Sequence, residues 1–100
     1  MILHLSLYSQ HFVDILAGTK RIEYRRRCAR WDKMLTKGHT HMHMVNGYGA
    51  HRPWLDAKIA RIEKTADNWL IHIEAVTGSG NLHLLCPALT MIESSSFPST

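Results

Sequence analysis

Lys20, Glu23 and Arg25 are the residues whose types and spacing are best suited to chemistry. A lysine and a glutamate three apart at the start of a strand, with an arginine two further on, can form an ion network in which each charge orients the next. Lys20 and Arg25 suit phosphate or carbonyl oxygens, because a guanidinium fork matches phosphate geometry. Glu23 suits a base edge or an exocyclic amine. The structural alternative is a cluster that only ties the first helix to the sheet.

These residues open a block of concentrated charge. Between Lys20 and Lys37 lie eight of the twelve lysines and arginines, against Glu23 and Asp32, so the stretch carries +6 and the remainder −2, which together give the chain's +4. Ile22, Tyr24, Trp31, Met34 and Leu35 interrupt the block. It must therefore be folded with its charges held in place, which favours a binding surface for an anionic partner over a merely solvated face.

The elements that position the block follow from hydrophobic period. Ile2 to Tyr8 alternates as a strand, with Leu3, Leu5 and Leu7 on its buried face. Ser9 is the expected N-cap of a helix over residues 10–17, closed by Gly18. Residues 20–26 alternate again, with Ile22 and Tyr24 expected inward and Glu23 and Arg25 on the opposite, charged face. Residues 26–37 return to a helical period. Cys28, Trp31, Met34 and Leu35 face one side and Arg26, Arg30, Lys33 and Lys37 another, so this cationic stripe is expected to adjoin the charged strand.

Residues 39–48 alternate, with Met42, Met44, Asn46 and Tyr48 inward and His39, His41 and His43 outward. A loop to Pro53 precedes a hairpin of residues 54–63 and 68–76, with Leu55, Ala57 and Ile59 facing Trp69, Ile71 and Ile73. Gly78, Ser79 and Gly80 read as a flexible connection, residues 82–92 as an edge or broken strand because of Pro87, and residues 94–100 as a disordered tail. One domain is expected over residues 1–93. Its class is α+β, a small mixed β-barrel of five to six strands with two helices packed at one side.

Other candidates carry less. The three histidines of residues 39–43 share a face, but that face is outside the barrel and no cysteine or carboxylate lies close in sequence, so no metal site is expected. Cys28 is expected as inert packing. No stretch approaches the ~20 apolar residues of a spanning helix, and the two cysteines without a leader-like start make a reducing cytoplasm the expected compartment. No cofactor is implied.

Gly18-Thr19-Lys20-Arg21-Ile22-Glu23-Tyr24-Arg25 fits G-x-K-x-x-E-x-R. On this motif, the strand and helix before it, and the basic helix, Asn46-Gly47-Tyr48-Gly49 strand end and hairpin after it, the chain resembles the ASCH (activating signal cointegrator homology) domain family. The resemblance implies a PUA-like barrel with a positively charged cleft, associated with RNA and modified nucleosides. It places Lys20, Glu23 and Arg25 at the cleft. Arg26, Arg30 and Lys33 would then track a single-stranded RNA backbone or hold a nucleotide-like small molecule, with Tyr48 stacking on a base and Asn46 reading its edge.

Some members are amidohydrolases acting on N4-acetylcytidine, and one has been described as a ribonuclease. The nucleophilic Thr of those amidohydrolases stands three residues after the motif Lys, a position occupied here by Glu23. An enzymatic reading therefore rests on Lys20 as base or electrophilic helper and Glu23 as general acid/base, with either water activated directly or Tyr24 or Thr19 used in place of the missing Thr.

Overall fold

A computed structural model describes residues 1–85. The order is β1 (Ile2–Leu7), α1 (Ser9–Ala17), β2 (Ile22–Arg26), α2 (Ala29–Leu35), β3 (His41–Asn46), β4 (Trp54–Lys64), β5 (Asn68–Gly80) and a 3-10 turn at Leu82–Leu84. The boundary expected at residue 93, Cys86 and the remainder of the expected 82–92 strand fall outside the described residues.

The five strands form one mixed sheet in the order β1-β3-β4-β5-β2, with β1 parallel to β3 and the other neighbours antiparallel. It is a half-barrel with two helices, an α+β domain as expected. The inward faces of β1, β3, β4 and β5 follow the alternation read from the sequence: Leu3, Leu5, Met42, Met44, Leu55, Ala57, Trp69 and Ile71 are all buried. Phe12, Val13 and Ile15 of α1 and Leu35 of α2 complete that core. No helix among the described residues is long and apolar enough to cross a membrane.

Three local expectations change. The Gly78-Ser79-Gly80 run continues β5 because β4 is eleven residues long and offers it partners as far as Trp54. Gly80 is required there, since a Cβ would lie 2.4 Å from Nε1 of the Trp54 indole. The second helix begins only at Ala29, with Cys28 exposed and extended as its N-cap, so this thiol is not packed on the apolar side. The 3-10 turn takes the place of strand at Leu82–Leu84.

Arg27, Asp32 and Trp69 fasten α2 to the β4–β5 hairpin. The Asp32 carboxylate accepts from Arg27 Nε at 3.3 Å and Nη2 at 3.1 Å, and from Trp69 Nε1 at 2.7 Å. Arg27 reaches the turn with its backbone too, donating to the Asp67 carbonyl at 2.9 Å. The hydrogen bond from Arg27, then that from Trp69, holds the Asp32 pKa below the ordinary carboxylate value. A carboxylate with a depressed native pKa stabilises the fold above its unfolded pKa, and that contribution is lost as pH falls through the native pKa. Asp32→Asn should therefore show a shallower decline of Tm than the parent below ~pH 4. Thermal melts between neutral and strongly acidic pH check this. Parallel acid limbs in the two proteins would show that Asp32 contributes no such linkage. Glu63, lowered first by His72 and then by Arg61, acts in the same direction in both proteins.

Candidate nucleic-acid interface

Each residue of the G-x-K-x-x-E-x-R motif has a separate structural task. Gly18 ends α1 in the left-handed region at φ 83°, and the amides of Thr19 and Lys20 both donate to the Asp14 carbonyl at 3.0 Å. This cap turns the chain so that Lys20 Nζ lies 2.9 Å from Glu23 Oε1. The same ammonium is 2.9 Å from Nδ1 of His11, one turn into α1.

Glu23 and Arg25 point inward, which reverses the expected parity of β2. Register explains it: Glu23 lies opposite Ile71 and Arg25 opposite Trp69, and residues directly opposite in a sheet share a face. Glu23 is consequently 4% exposed, whereas Tyr24 is 54% exposed on the other face. Hydropathy favoured the opposite assignment because a lone Glu reads as a surface residue. Here Lys20 and Arg25 neutralise its charge inside.

Both carboxylate oxygens of Glu23 are engaged, Oε1 by Lys20 and Oε2 by Arg25 Nε at 3.0 Å and Nη2 at 2.9 Å. Arg25 Nη2 also donates to the Ser6 carbonyl at 3.0 Å. Ser6 is on β1 and Arg25 on β2, the two outer strands of the sheet. The backbone ladder does not join these strands among the described residues, and the guanidinium laces the seam between them. Its Nη1 end has no partner among the described residues, so it can meet an anion while the lacing stays in place.

Arg25 of β2 and Arg30 of α2 adjoin through Trp31, whereas Arg26 falls on the Tyr24 face of the strand. The Trp31 ring lies under Arg25 at 5.2 Å and Arg30 at 5.3 Å. Arg26, Arg30, Lys33 and Lys37 are exposed. Two of the expected ligand contacts are placed differently. Asn46 is 4% exposed, and its Nδ2 donates to the Leu7 carbonyl at 3.2 Å and to Ser9 Oγ at 3.1 Å, so its amide fastens β3 to the β1–α1 junction and cannot read a base edge as expected. Ser9 meets Asn46 with its hydroxyl, leaving Tyr8 at the α1 N-cap position without a side-chain capping bond.

Tyr48 does not continue the inward face. Gly47, at φ 89°, ends β3 after Asn46 and turns Tyr48 out to 87% exposure. That leaves the ring more open to a partner than a position on the core rim would. Tyr24, named with Lys20 and Glu23 for an enzymatic role, is on the sheet face opposite Glu23. Thr19 Oγ1 donates to the Asp14 carbonyl at 3.1 Å, within the helix cap.

His39, His41 and His43 each have a different hydrogen-bond partner. His39 precedes β3 and donates through Nε2 to the Met34 carbonyl at 2.8 Å, His41 Nδ1 lies 2.9 Å from Thr40 Oγ1, and His43 Nδ1 lies 2.5 Å from Asp56 Oδ1. Among the described residues no three His, Cys, Asp or Glu side chains are grouped to hold a metal ion. His4, His41, His43 and Asp56 line a hollow of about 280 Å³, and a second of about 530 Å³ lies between α2 and the hairpin beside Leu35, His39 and Trp69. Neither is lined by Lys20, Glu23, Arg25 or Tyr48.

No family model and no curated protein sequence matches the chain.

Proposed function

We propose that the chain is an RNA- or nucleotide-binding module of the ASCH type, which binds through the cations of β2 and α2. The observation that carries this reading is the stacking of Arg25 and Arg30 on the same Trp31 ring, which makes one cationic surface of two elements. Glu23 organises that surface. It holds Lys20 and Arg25 in fixed positions, and Arg25 retains donors for a phosphate. Single-stranded RNA is the favoured partner because an exposed cationic surface tracks a flexible phosphate backbone without needing an enclosed pocket.

Binding of a labelled oligoribonucleotide should weaken as salt rises, because each neutralised phosphate releases counterions. Arg30→Ala, on an exposed helical position, should lower affinity at all salt concentrations and flatten the slope of log K against log salt by about 0.7. Fluorescence anisotropy across a salt series measures both. Unchanged affinity and slope in Arg30→Ala and Lys33→Ala would overturn the reading.

One observation favours hydrolysis of an N4-acylated cytidine as a second reading. Lys20 Nζ lies between Glu23 and His11 at 2.9 Å from each, a set of three proton-exchanging groups at one end of the cationic surface. Incubation with N4-acetylcytidine and chromatography for cytidine tests it, with Lys20→Ala as the control. Absence of product from the parent protein rejects it.

A further inference from the structure

β4 outlasts its neighbour on one side. It pairs with β3 from Trp54 to Lys58, and the Ile59 amide donates to the Thr40 carbonyl at 2.9 Å as the last bond in that direction. β4 itself continues to Lys64, paired only with β5. Residues 60–64 are therefore a free strand edge among the described residues.

Register fixes where the main-chain groups of this stretch point. The Ile73 amide donates to the Arg21 carbonyl and the Arg27 amide to the Asp67 carbonyl, so odd-numbered residues of β5 bond β2 and even-numbered ones face β4. Leu70 and His72 accordingly bond Glu63 and Arg61, in phase with the Thr65 amide donating to the Asn68 carbonyl at 2.8 Å. The N–H and C=O groups of Ile62 and Lys64 point away from β5, and nothing among the described residues bonds them. Ala60 is the unpaired residue of a bulge between Ile59 and Arg61. It shifts the strand's parity, so that Ile59, Ile62 and Lys64 all lie on the inward face, opposite Ile73, Ile71 and Trp69.

The hollow of about 530 Å³ lies along this edge. Leu35, Thr36 and His39 line it on one side and Ile59, Ile62 and Trp69 on the other. The charged side chains lining it are Lys58 and Arg61, with no carboxylate among them. Both form exposed pairs, with Glu74 and Glu63, and such pairs are weak. Lys64 Nζ lies over the Trp69 ring at 5.7 Å, and Lys37 stands between the lining residues Thr36 and Gly38. Neither lysine is in a salt bridge among the described residues.

An open strand edge presents donors and acceptors in turn. Phosphate oxygens only accept, so a nucleic-acid backbone would leave the Ile62 and Lys64 carbonyls unmet. A second copy of the chain would set one cationic edge against another, the device by which lysines keep strand edges apart. A peptide strand supplies both groups at matching spacing, and carboxylates on it complement the rim.

We infer that this groove binds an extended acidic peptide by strand addition, the peptide lying beside residues 60–64 of β4 in the place that β3 leaves at Thr40. Alternate apolar side chains of the peptide enter the hollow, and its carboxylates meet the cations of the rim. The inference goes beyond the RNA-binding reading and stands if that reading fails.

The test uses a fluorescein-labelled octapeptide in which valine alternates with glutamate, titrated with the full chain at low salt. It should bind, whereas the same peptide with lysine for glutamate, or with its valine amides N-methylated, should not. Lys64→Pro removes an N–H that faces the edge and leaves the β5 ladder intact. It should bind the glutamate peptide roughly 2- to 10-fold more weakly than Lys64→Ala, which removes the charge alone. In NMR-detected hydrogen exchange of the parent, the Ile62 and Lys64 amides should exchange fast in the free chain and slowly with the peptide, while Arg61 and Glu63 are slow in both. No binding at millimolar peptide overturns the inference. Binding that leaves the Ile62 and Lys64 amides unprotected overturns it too, because the peptide then sits elsewhere. Protection of the same amides by an oligouridylate, or by raising the protein concentration alone, would instead give the edge to RNA or to a second copy. A thermal melt establishes that Lys64→Pro is folded, and exchange in the parent decides the matter without it.

Discussion

Glu23→Ala should destabilise the domain by about 3 kcal/mol, the lower end of the cost of stripping one partner from a buried ion pair. The lower end applies because the Lys20 and Arg25 side chains are 18% and 23% exposed, so water screens part of the stranded charge. In a domain of this size that loss corresponds to a fall in Tm of roughly 12–24 °C. Glu23→Gln, which keeps one acceptor oxygen, should lose less. Differential scanning calorimetry decides the matter, and a Glu23→Ala protein within about 1 kcal/mol of its parent would show that the network does not anchor the seam.

The complementary variant removes all three charges. Replacing Lys20 and Arg25 by Met together with Glu23→Leu leaves no stranded ion, and such exchanges are often neutral or stabilising. If the triple variant melts near the parent temperature and has lost salt-dependent RNA binding, the network is retained for its ligand. Retained binding in a folded triple variant would instead assign the three residues to architecture.

Phe12→Ala should cost about 3–5 kcal/mol, the range for emptying a fully buried aromatic site. Phe12 is completely buried and heads the largest enclosed side chains of the core. It also docks α1 on the half-barrel, with Val13 and Ile15 beside it. Denaturant titration should move the midpoint without changing the slope. Amides of α1 should exchange faster than those of β4 and β5, because the helix that carries His11 and the Lys20 cap loses its main anchor. A loss below about 1 kcal/mol would mean that the surrounding side chains collapse into the space.

The sequence disclosed the strands whose two faces differ in polarity. Met42 and Met44 opposite His41 and His43, and Leu55, Ala57 and Ile59 opposite Trp69, Ile71 and Ile73, need no tertiary information to assign. β2 was illegible for the converse reason. Its buried residue is a charged one, and only the meeting of Lys20, Arg25 and Ser6 makes that tolerable. Gly47 was visible as a breaker, but the consequence of its positive φ for Tyr48 depends on where the strand stops. Tyr8 looked like the last residue of an apolar strand. Its exposure follows from Leu7 being the final residue paired with β3, a matter of register that residue type does not encode.

The lacing of β1 to β2 by Arg25 has a consequence for how the molecule responds to its partner. Where, among the described residues, two outer strands are hydrogen-bonded through one side chain and not through a backbone ladder, local opening costs less than breaking a ladder, so thermal breathing should concentrate along that line. The proposed RNA-binding surface reaches the same line at Arg25, whose guanidinium meets the Ser6 carbonyl of β1 there. A bound strand would act as an external suture, suppressing exchange at Ser6 and Arg25 and raising the melting temperature in proportion to the logarithm of its concentration.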